Sequence, residues 1–489
     1  NKRVVHCTID RVLCHIEYRS DEMFDSTYQH LCTVVLGFAT LFRYAGYDMA
    51  TFIVESVLHS AHIRDARSIV NHAGFFGQAT KEISMCLTSL LVPIIFNYVK
   101  PKWALVLGTF LLCIFTASFL VINNFLYFTV NILAGLAFSL LFTGISTYQM
   151  QFSTKETLAR NSARVSAIAG ISLLIGASLY MVISSTDSSS AQHEQADSYR
   201  YYSEGETRFM YGALTASLLL SFVLHCFLPD REVKNSVTSN SPHEKMTIRQ
   251  QANTITSMML HPSILKLIPV FINHGIFCVF SLNIYPTSLQ YSSILSNDYP
   301  QLTAYYAYAM FFGTTACGLI VEPLSKYFHD FGLRPLYFLT LGTETLVIFI
   351  CLLTVPNWAT AHPTHAGSII EPNLFCVVVV SILLGLVDST LAAVNTVYCS
   401  RVMPGRASHT YAVGRFYIGT SAAIVFFCSP TLSMIHHSMI QLTFIIMSIF
   451  AFIGTANRID RLEKSIEIPE TSSMGEAEHS FTTINNESR

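Results

Sequence analysis

Residues 131–148 read NILAGLAFSLLFTGISTY, and residues 381–398 read SILLGLVDSTLAAVNTVY. Set side by side, they match at Ile132/Ile382, Leu133/Leu383, Gly135/Gly385, Leu136/Leu386, Ser139/Ser389, Leu141/Leu391 and Tyr148/Tyr398, an offset of 250 residues. A shorter pair, Val106-Leu-Gly-Thr109 and Thr340-Leu-Gly-Thr343, recurs at an offset of 234. Chance similarity of Leu-rich helices is the alternative. It weakens because the pairs occupy equivalent places, the third and ninth apolar runs and the fourth and tenth. Weak internal symmetry of this kind reads as a duplication of half the chain.

A helix that crosses a bilayer needs about 20 mostly apolar residues. Runs of that kind predict spans at 31–54, 76–98, 103–122, 125–147, 164–186, 209–228, 264–287, 303–324, 335–355, 373–396, 411–429 and 434–456. The second opens with Lys81 and Glu82, and the first contains Arg43 and Asp48. Of the 489 residues, 51% are hydrophobic and only 12% charged, whereas soluble domains carry about 25% charged residues. A soluble chain this apolar would expose large sticky patches. The predicted class is therefore all-α: a polytopic membrane protein with about twelve transmembrane helices in two six-helix pseudo-repeats.

The connections alternate in charge. Lys and Arg cluster in 1–30, at 100 and 102, at 155, 160 and 164, and from 231 to 266. They return at 326 and 334, at 401, 406 and 415, and after 457, which places 23 of the 29 on one side. The other side holds Arg64, Arg67, Arg200 and Arg208. The positive-inside rule then predicts cytosolic termini. The domain reading is a cytosolic tail 1–30, a six-helix half 31–228, a flexible linker 229–262, a second half 263–456 and a disordered tail 457–489. The sole glycosylation sequon, Asn486-Glu-Ser488, falls in that last tail, where it is expected to stay unmodified. The chain starts with Asn1 rather than Met, so a fragment or processed form is expected, and 1–28 lacks the apolar core of a signal peptide. A net charge of −2 gives no nucleic-acid footprint. The twelve Cys form no Cys-x-x-Cys and read as small buried hydrophobes.

Parallel six-helix repeats are the signature of major facilitator folds. Several motifs go further: Leu36-Gly-Phe38 and Phe42, Gly77-Gln-Ala79, Lys100-Pro-Lys-Trp-Ala-Leu-Val-Leu-Gly108, Thr143-Gly144 and Thr147-Tyr148. Ser153-Thr-Lys-Glu-Thr157 with Arg160-Asn-Ser162 follows, and Asp388 with Asn395-Thr396 closes the series. In order and spacing they resemble the family of ion-channel regulatory proteins called UNC-ninety-three, a branch of the major facilitator superfamily. The match covers most of the first half and is thinner in the second. The chain departs from that family at Arg43, where its relatives are apolar, and in lacking sequons in the first external loop. It also has Asn97-Tyr-Val-Lys100 where the usual facilitator motif has an acid.

An ionised group at mid-bilayer costs at least about 2.5–3.5 kcal/mol, so it must face protein, a partner charge or water. Asp388 and Asn395, seven residues apart, share a helical face with Gly385 and Ala392, and Thr396 adjoins them. The matching face of the fourth span carries Gly135, Phe138, Phe142 and Ile145, so the polarity belongs to the second half. Asp388 is read as a cavity-lining acid, with a packing acid as the alternative. Arg43 and Asp48 lie about 140° apart around the first span and cannot simply pair on one face. If the first, fourth, seventh and tenth spans line a cavity, Arg43 and Asp388 could face each other; otherwise Arg43 snorkels or the span is shifted. Glu344, near the end of the ninth span, reads as an interfacial or inter-helix contact rather than a site. His225 and His274 have no second ligand at i+3 or i+4, so no metal site is expected. Lys100 and Lys102 are read as topology and lipid-phosphate anchors.

No nucleotide loop, triad or cofactor motif is present, and an enzyme is not expected. The candidate site is Asp388, Asn395, Thr396, Arg43 and Asp48, and membrane lipid is the expected surrounding partner. The family resemblance implies a regulatory subunit of a membrane channel, most naturally a potassium-channel subunit, or a trafficking chaperone for other membrane proteins. The repeat with its intramembrane polar residues equally suits a secondary transporter of a small solute. The plasma membrane is the expected location, with an endomembrane as the alternative.

Overall fold

The computed structural model describes residues 2–96, 98–154, 157–187, 199–231, 233, 236–237, 248–327, 334–402 and 407–457. Among these residues, twelve long helices carry the chain. The first six are α1 (Lys2–Arg64), α2 (Ala73–Ile95), α3 (Pro101–Ala117), α4 (Asn124–Phe152), α5 (Leu158–Gly170, continued by Ser172–Asp187) and α6 (Glu204–Cys226). The second six start with α7, in which Ile268–Val279 passes through a π-helical turn at Phe280–Ile284 into Tyr285–Tyr291. They continue with α8 (Leu302–Tyr327), α9 (Arg334–Thr354), α10 (Leu374–Val402), α11 (Ala407–Cys428) and α12 (Met434–Asn457). Each predicted span has its helix, and nine of them are long and apolar enough to cross a membrane, among the described residues. No strand occurs among those residues beyond one isolated bridge between Ser292 and Thr364.

Local chemistry sets the ends. Asn123 caps α4 through its side-chain oxygen, which accepts from the Phe125 and Leu126 amides. Ser203 caps α6 in the same way ahead of Glu204 and Glu206. Pro101 opens α3 at a position where no amide is needed. In α7, Pro286 has no N–H to give and its ring crowds the carbonyl four residues back, and the wide π turn lies just upstream of it.

The two halves repeat their packing. In the first, α1 lies against α5 and α6, α2 against α4, and α3 against α4 and α6. In the second, α7 lies against α11, and both α8 and α9 lie against α10. The halves meet where α2 packs on α11 and α5 on α8. The duplicated glycines explain the pattern. A Cβ on Gly135 would strike the Lys81 carbonyl of α2, and one on Gly385 would strike the Met310 carbonyl of α8. Helix association in lipid depends on such close approach of small residues. The matched pair thus does one job twice, α4 on α2 and α10 on α8.

Two expectations need amendment. The predicted tail 1–30 is helical from Lys2, and the first span is the middle of a 63-residue helix. The sequence has neither Gly nor Pro between Lys2 and Leu36 to stop it. Within the predicted flexible linker 229–262, Ile248–Met259 forms a helix. Its buried Ile255 and Met258 cluster with Ile264 and Val413, against Leu90 of α2 and Tyr417 of α11. The Tyr417 hydroxyl donates to the Met259 carbonyl at 3.4 Å. That segment is therefore a brace laid over both halves. Residues 232, 234–235 and 238–247 of the linker, and the tail 458–489, lie outside the described residues.

Gly385→Val forces α10 away from a backbone carbonyl rather than a flexible side chain, and should lower stability by about 1–3 kcal/mol. Gly342→Val, at a position with open space around it, should be near neutral. Unfolding temperature in detergent checks both, and equal behaviour of the two variants would contradict the packing account.

Candidate functional site

Charged side chains lie between helices well inside the bundle, and they fall into three layers. For position, the end near residues 229–262 and 457 is called the terminal end and the opposite one the far end.

In the central layer, Arg43 of α1 is fully buried, and none of its guanidinium nitrogens makes a hydrogen bond to a described atom. Its charge rests on the neighbouring Tyr44 ring, 3.9 Å from the centroid. Asp48, further along the same helix, is partly exposed and within electrostatic reach of Arg43, Asp388 and Lys81. Lys81 of α2 pairs with Glu82 at 3.0 Å and donates to the Tyr47 hydroxyl at 3.0 Å. It also faces the Tyr47 and Phe138 rings. Across the seam, Asp388 of α10 is partly exposed and its opposite charge is Arg415 of α11. Arg415 holds the Tyr411 hydroxyl through Nη2 at 2.6 Å and lies 4.3 Å over the Phe142 ring of α4. That contact joins the two halves. Under the repeat, Phe142 stands where α10 has Ala392, on the same face as Asp388.

The structure thus gathers Arg43, Asp48 and Asp388 in one region, but it does not join Arg43 to Asp388: no ion pair forms between them among the described residues. Asn395 leaves this group. It is buried one layer nearer the terminal end and hydrogen-bonds His274 of α7. The side chain of Thr396 lies outside the described residues.

At the far end the halves are tied directly. Asn283 donates to the Thr51 carbonyl at 3.4 Å, and Gln290 donates to the Phe52 carbonyl at 3.0 Å. The Tyr202 hydroxyl donates to the Gln290 side chain at 3.0 Å, and the Arg200 amide to the Gln290 carbonyl at 3.0 Å. Glu55 of α1, fully buried, accepts from the Phe75 amide at 3.2 Å and from the Tyr291 hydroxyl at 3.5 Å. His72, held at φ 56° just before α2, sets its ring nitrogen 3.4 Å from the same carboxylate.

Within each half a third set of contacts binds matching helices. Thr109 of α3 and His225 of α6 meet at 3.2 Å, and Ser221 donates to the Ala39 carbonyl of α1 at 2.6 Å. In the second half, Glu344 of α9 accepts from Asn273 of α7 at 3.1 Å and from Gln441 of α12, which also donates to Asn273 at 3.0 Å. Of the interfacial and inter-helix readings open for Glu344, the structure shows the inter-helix one.

Sequence reasoning passed over Glu55, treated Lys81 and Glu82 only as blemishes on a span, and counted Arg415 among loop cations. Arg415 lies inside its own predicted span, 411–429, which was the available signal.

This arrangement of six-helix halves can be set beside known proteins. The model of the family described as "Ion channel regulatory protein UNC-93" matches residues 65–453. The chain belongs to the UNC-93 family. The UNC93-like protein MFSD11 of Xenopus tropicalis is 21% identical over 443 residues, covering 86% of this chain and 93% of the relative. The Xenopus laevis protein of the same name gives the same figures. Among solved structures, the peptide transporter POT in complex with alafosfalin superposes with a TM-score of 0.59 at 12% identity, covering 88% of this chain and 95% of that one. The nucleoside transporter NupG gives 0.56 at 10%, with 87% and 99% covered. These likenesses establish the major facilitator fold for this UNC-93 member, and no more than the fold.

The pairings are open to double-mutant cycles. Neutralising Asp388 and Arg415 together should show a coupling of about 0.5–3 kcal/mol, and Arg43 with Asp48 likewise. Arg43 with Asp388 should be closer to additive. Detergent unfolding of Arg43→Gln, Asp48→Asn, Asp388→Asn, Arg415→Gln and the doubles measures this; a dominant Arg43–Asp388 coupling would overturn the assignment.

Proposed function

We propose that this chain is a non-enzymatic regulatory subunit of a membrane channel, with a potassium channel as partner and the plasma membrane as location. The observation that carries the reading is the UNC-93 match across residues 65–453. The geometry supplies a means. Two halves stiffened by internal polar contacts meet at a seam bearing Asp48, Asp388 and Arg415, and are tied at the far end through Gln290 and Tyr291. Such a body has two arrangements to choose between, and a differential stabilisation of about 5.5 kcal/mol carries a two-state balance from 1:99 to 99:1. A partner that prefers one arrangement is regulated by whatever biases the seam.

A second reading has its own observation. Asp48, Phe142, Asp388 and Arg415 keep partial exposure inside the bundle while the far-end contacts are buried. An alternating-access transporter of a small solute, open toward the terminal end, has that distribution.

Asp388→Asn separates the two. It removes a charge and keeps most of the hydrogen bonding. As a regulator, the variant should reach the surface and alter the current of a co-expressed potassium channel, with no solute flux to lose. Flux across reconstituted vesicles that the substitution abolishes would replace the regulatory reading with transport. Purification from native membrane should bring down channel subunits; their absence, together with unchanged current, would end the proposal.

The basic residues on the terminal side support a cytosolic position for that side under this reading. Epitope tags on both ends should be reached by antibody only after permeabilisation, and surface labelling of either tag in intact cells would reverse the orientation.

A further inference from the structure

At the terminal end, α1 and the start of α5 enclose a cavity of about 230 Å³ lined by Ser26, Gln29, His30, Arg160, Asn161 and Arg164. The spacing makes it a built recess. Ser26, Gln29 and His30 are i, i+3 and i+4 on α1, and Arg160 and Arg164 are i and i+4 on α5, so each set shares one helical face. The floor is neutral. Asn161, buried, donates to Gln29 at 3.3 Å and to the Ser153 hydroxyl at 3.0 Å. The rim carries two exposed guanidinium groups. Among the described residues, no carboxylate lines the cavity and neither arginine forms an ion pair. Asp25, the acid next to Ser26 in the chain, is taken by Arg231 at 2.7 Å.

Two like charges facing one recess repel each other unless an anion lies between them. Arginine's planar fork matches the oxygens of a phosphate through paired hydrogen bonds. The recess is smaller than the roughly 300–1,000 Å³ of drug-sized sites, so it takes a headgroup-sized ligand. Its depth adds to this. Arg160 opens Arg160–Ser185, a stretch long and apolar enough to cross a membrane, and the end of such a stretch is where basic pockets between helices hold anionic headgroups. We propose that Arg160 and Arg164, with His30 and the Gln29–Asn161 floor, form a binding site for a phosphate monoester, carried by the headgroup of an anionic lipid or by a free phosphorylated solute.

The full chain, purified in mild detergent, tests this by thermal shift and by native mass spectrometry. The probes are dioctanoyl phosphatidylinositol phosphate, dioctanoyl phosphatidylcholine and inorganic phosphate. The phosphoinositide should bind and raise the unfolding temperature, the choline lipid should not, and binding should weaken as salt rises. Arg160→Gln with Arg164→Gln should weaken it at least about tenfold. Arg67→Gln, an exposed arginine at the far end, should leave it unchanged. Both site arginines are exposed, so the double variant should unfold at the wild-type temperature without ligand, which separates lost binding from lost folding. Inorganic phosphate binding as tightly as the phosphoinositide would identify a free solute as the source. Phosphoinositide binding that survives the double substitution, equal binding of the choline lipid, or no binding of either phosphate probe would overturn the site.

Discussion

A charge cannot be left facing hydrocarbon, and this one constraint orders the bundle. Arg43, Lys81, Glu82, Glu55, Glu344, Asp388 and Arg415 all lie on the long helices of the bundle. Each must find protein or water. Lys81 finds Glu82 and the Tyr47 hydroxyl, Glu344 finds two amides, Glu55 a backbone amide and a phenol, and Arg43 an aromatic face. Asp388 and Arg415 find each other's field across neighbouring helices. The helices can turn only such faces toward one another, so the polar residues fix the rotation of each helix while the glycines fix its distance.

The polar contacts differ in what they join. Thr109–His225 and Asn273–Glu344–Gln441 each lie within one half, on the helices that correspond under the repeat. Breaking such a set leaves a buried polar group unsatisfied and is costly, so these contacts stiffen each half from within. The contacts of Gln290, Asn283 and Tyr291 with α1 join one half to the other. Two of them are single bonds to backbone carbonyls, which a shift of one half can exchange for water. Stiff halves and an exchangeable seam are the physical requirement for a two-state body, whether its output is flux or the state of a partner. The helix Ile248–Met259 bears on this directly, since it rests on α2 and α11 together. Any rocking of the halves must carry it along or dislodge it.

Much of the fold was legible because the bilayer asks for about 20 apolar residues at a time, a signal that survives ignorance of every contact. The repeat was legible because close helix approach tolerates few residues besides glycine, which preserved Gly135 and Gly385 as a matched pair. What stayed hidden is what depends on which helices abut. Arg43 and Asp388 both lie on spans expected to face a common cavity, yet α11 brings Arg415 to Asp388, and no periodicity along α10 could reveal a partner on α11. Glu55 sat beyond the predicted end of its span, where an acid looks like an ordinary loop residue. The brace helix was hidden by its polarity: among the described residues Ile255 and Met258 are its fully buried apolar side chains, too few to stand out within a Ser- and Thr-rich linker.

The duplication also explains where the site is asymmetric. On α4 the stripe through Gly135 continues with Phe138 and Phe142, while on α10 the stripe through Gly385 continues with Asp388 and Asn395. An aromatic face on one half and an acid on the other would be unrelated facts if the halves were independent. Arg415 connects them, because it lies over the Phe142 ring and in the field of Asp388 at once. A guanidinium is suited to both partners, through the ring's negative face and through the carboxylate's charge. If the halves rock apart at the terminal end, the ring contact across the seam is lost while the carboxylate, on the same half as Arg415, is kept. The balance between open and closed arrangements then depends on how strongly Asp388 holds Arg415 back from Phe142, which makes the acid a bias on the seam even though it forms no bond across it.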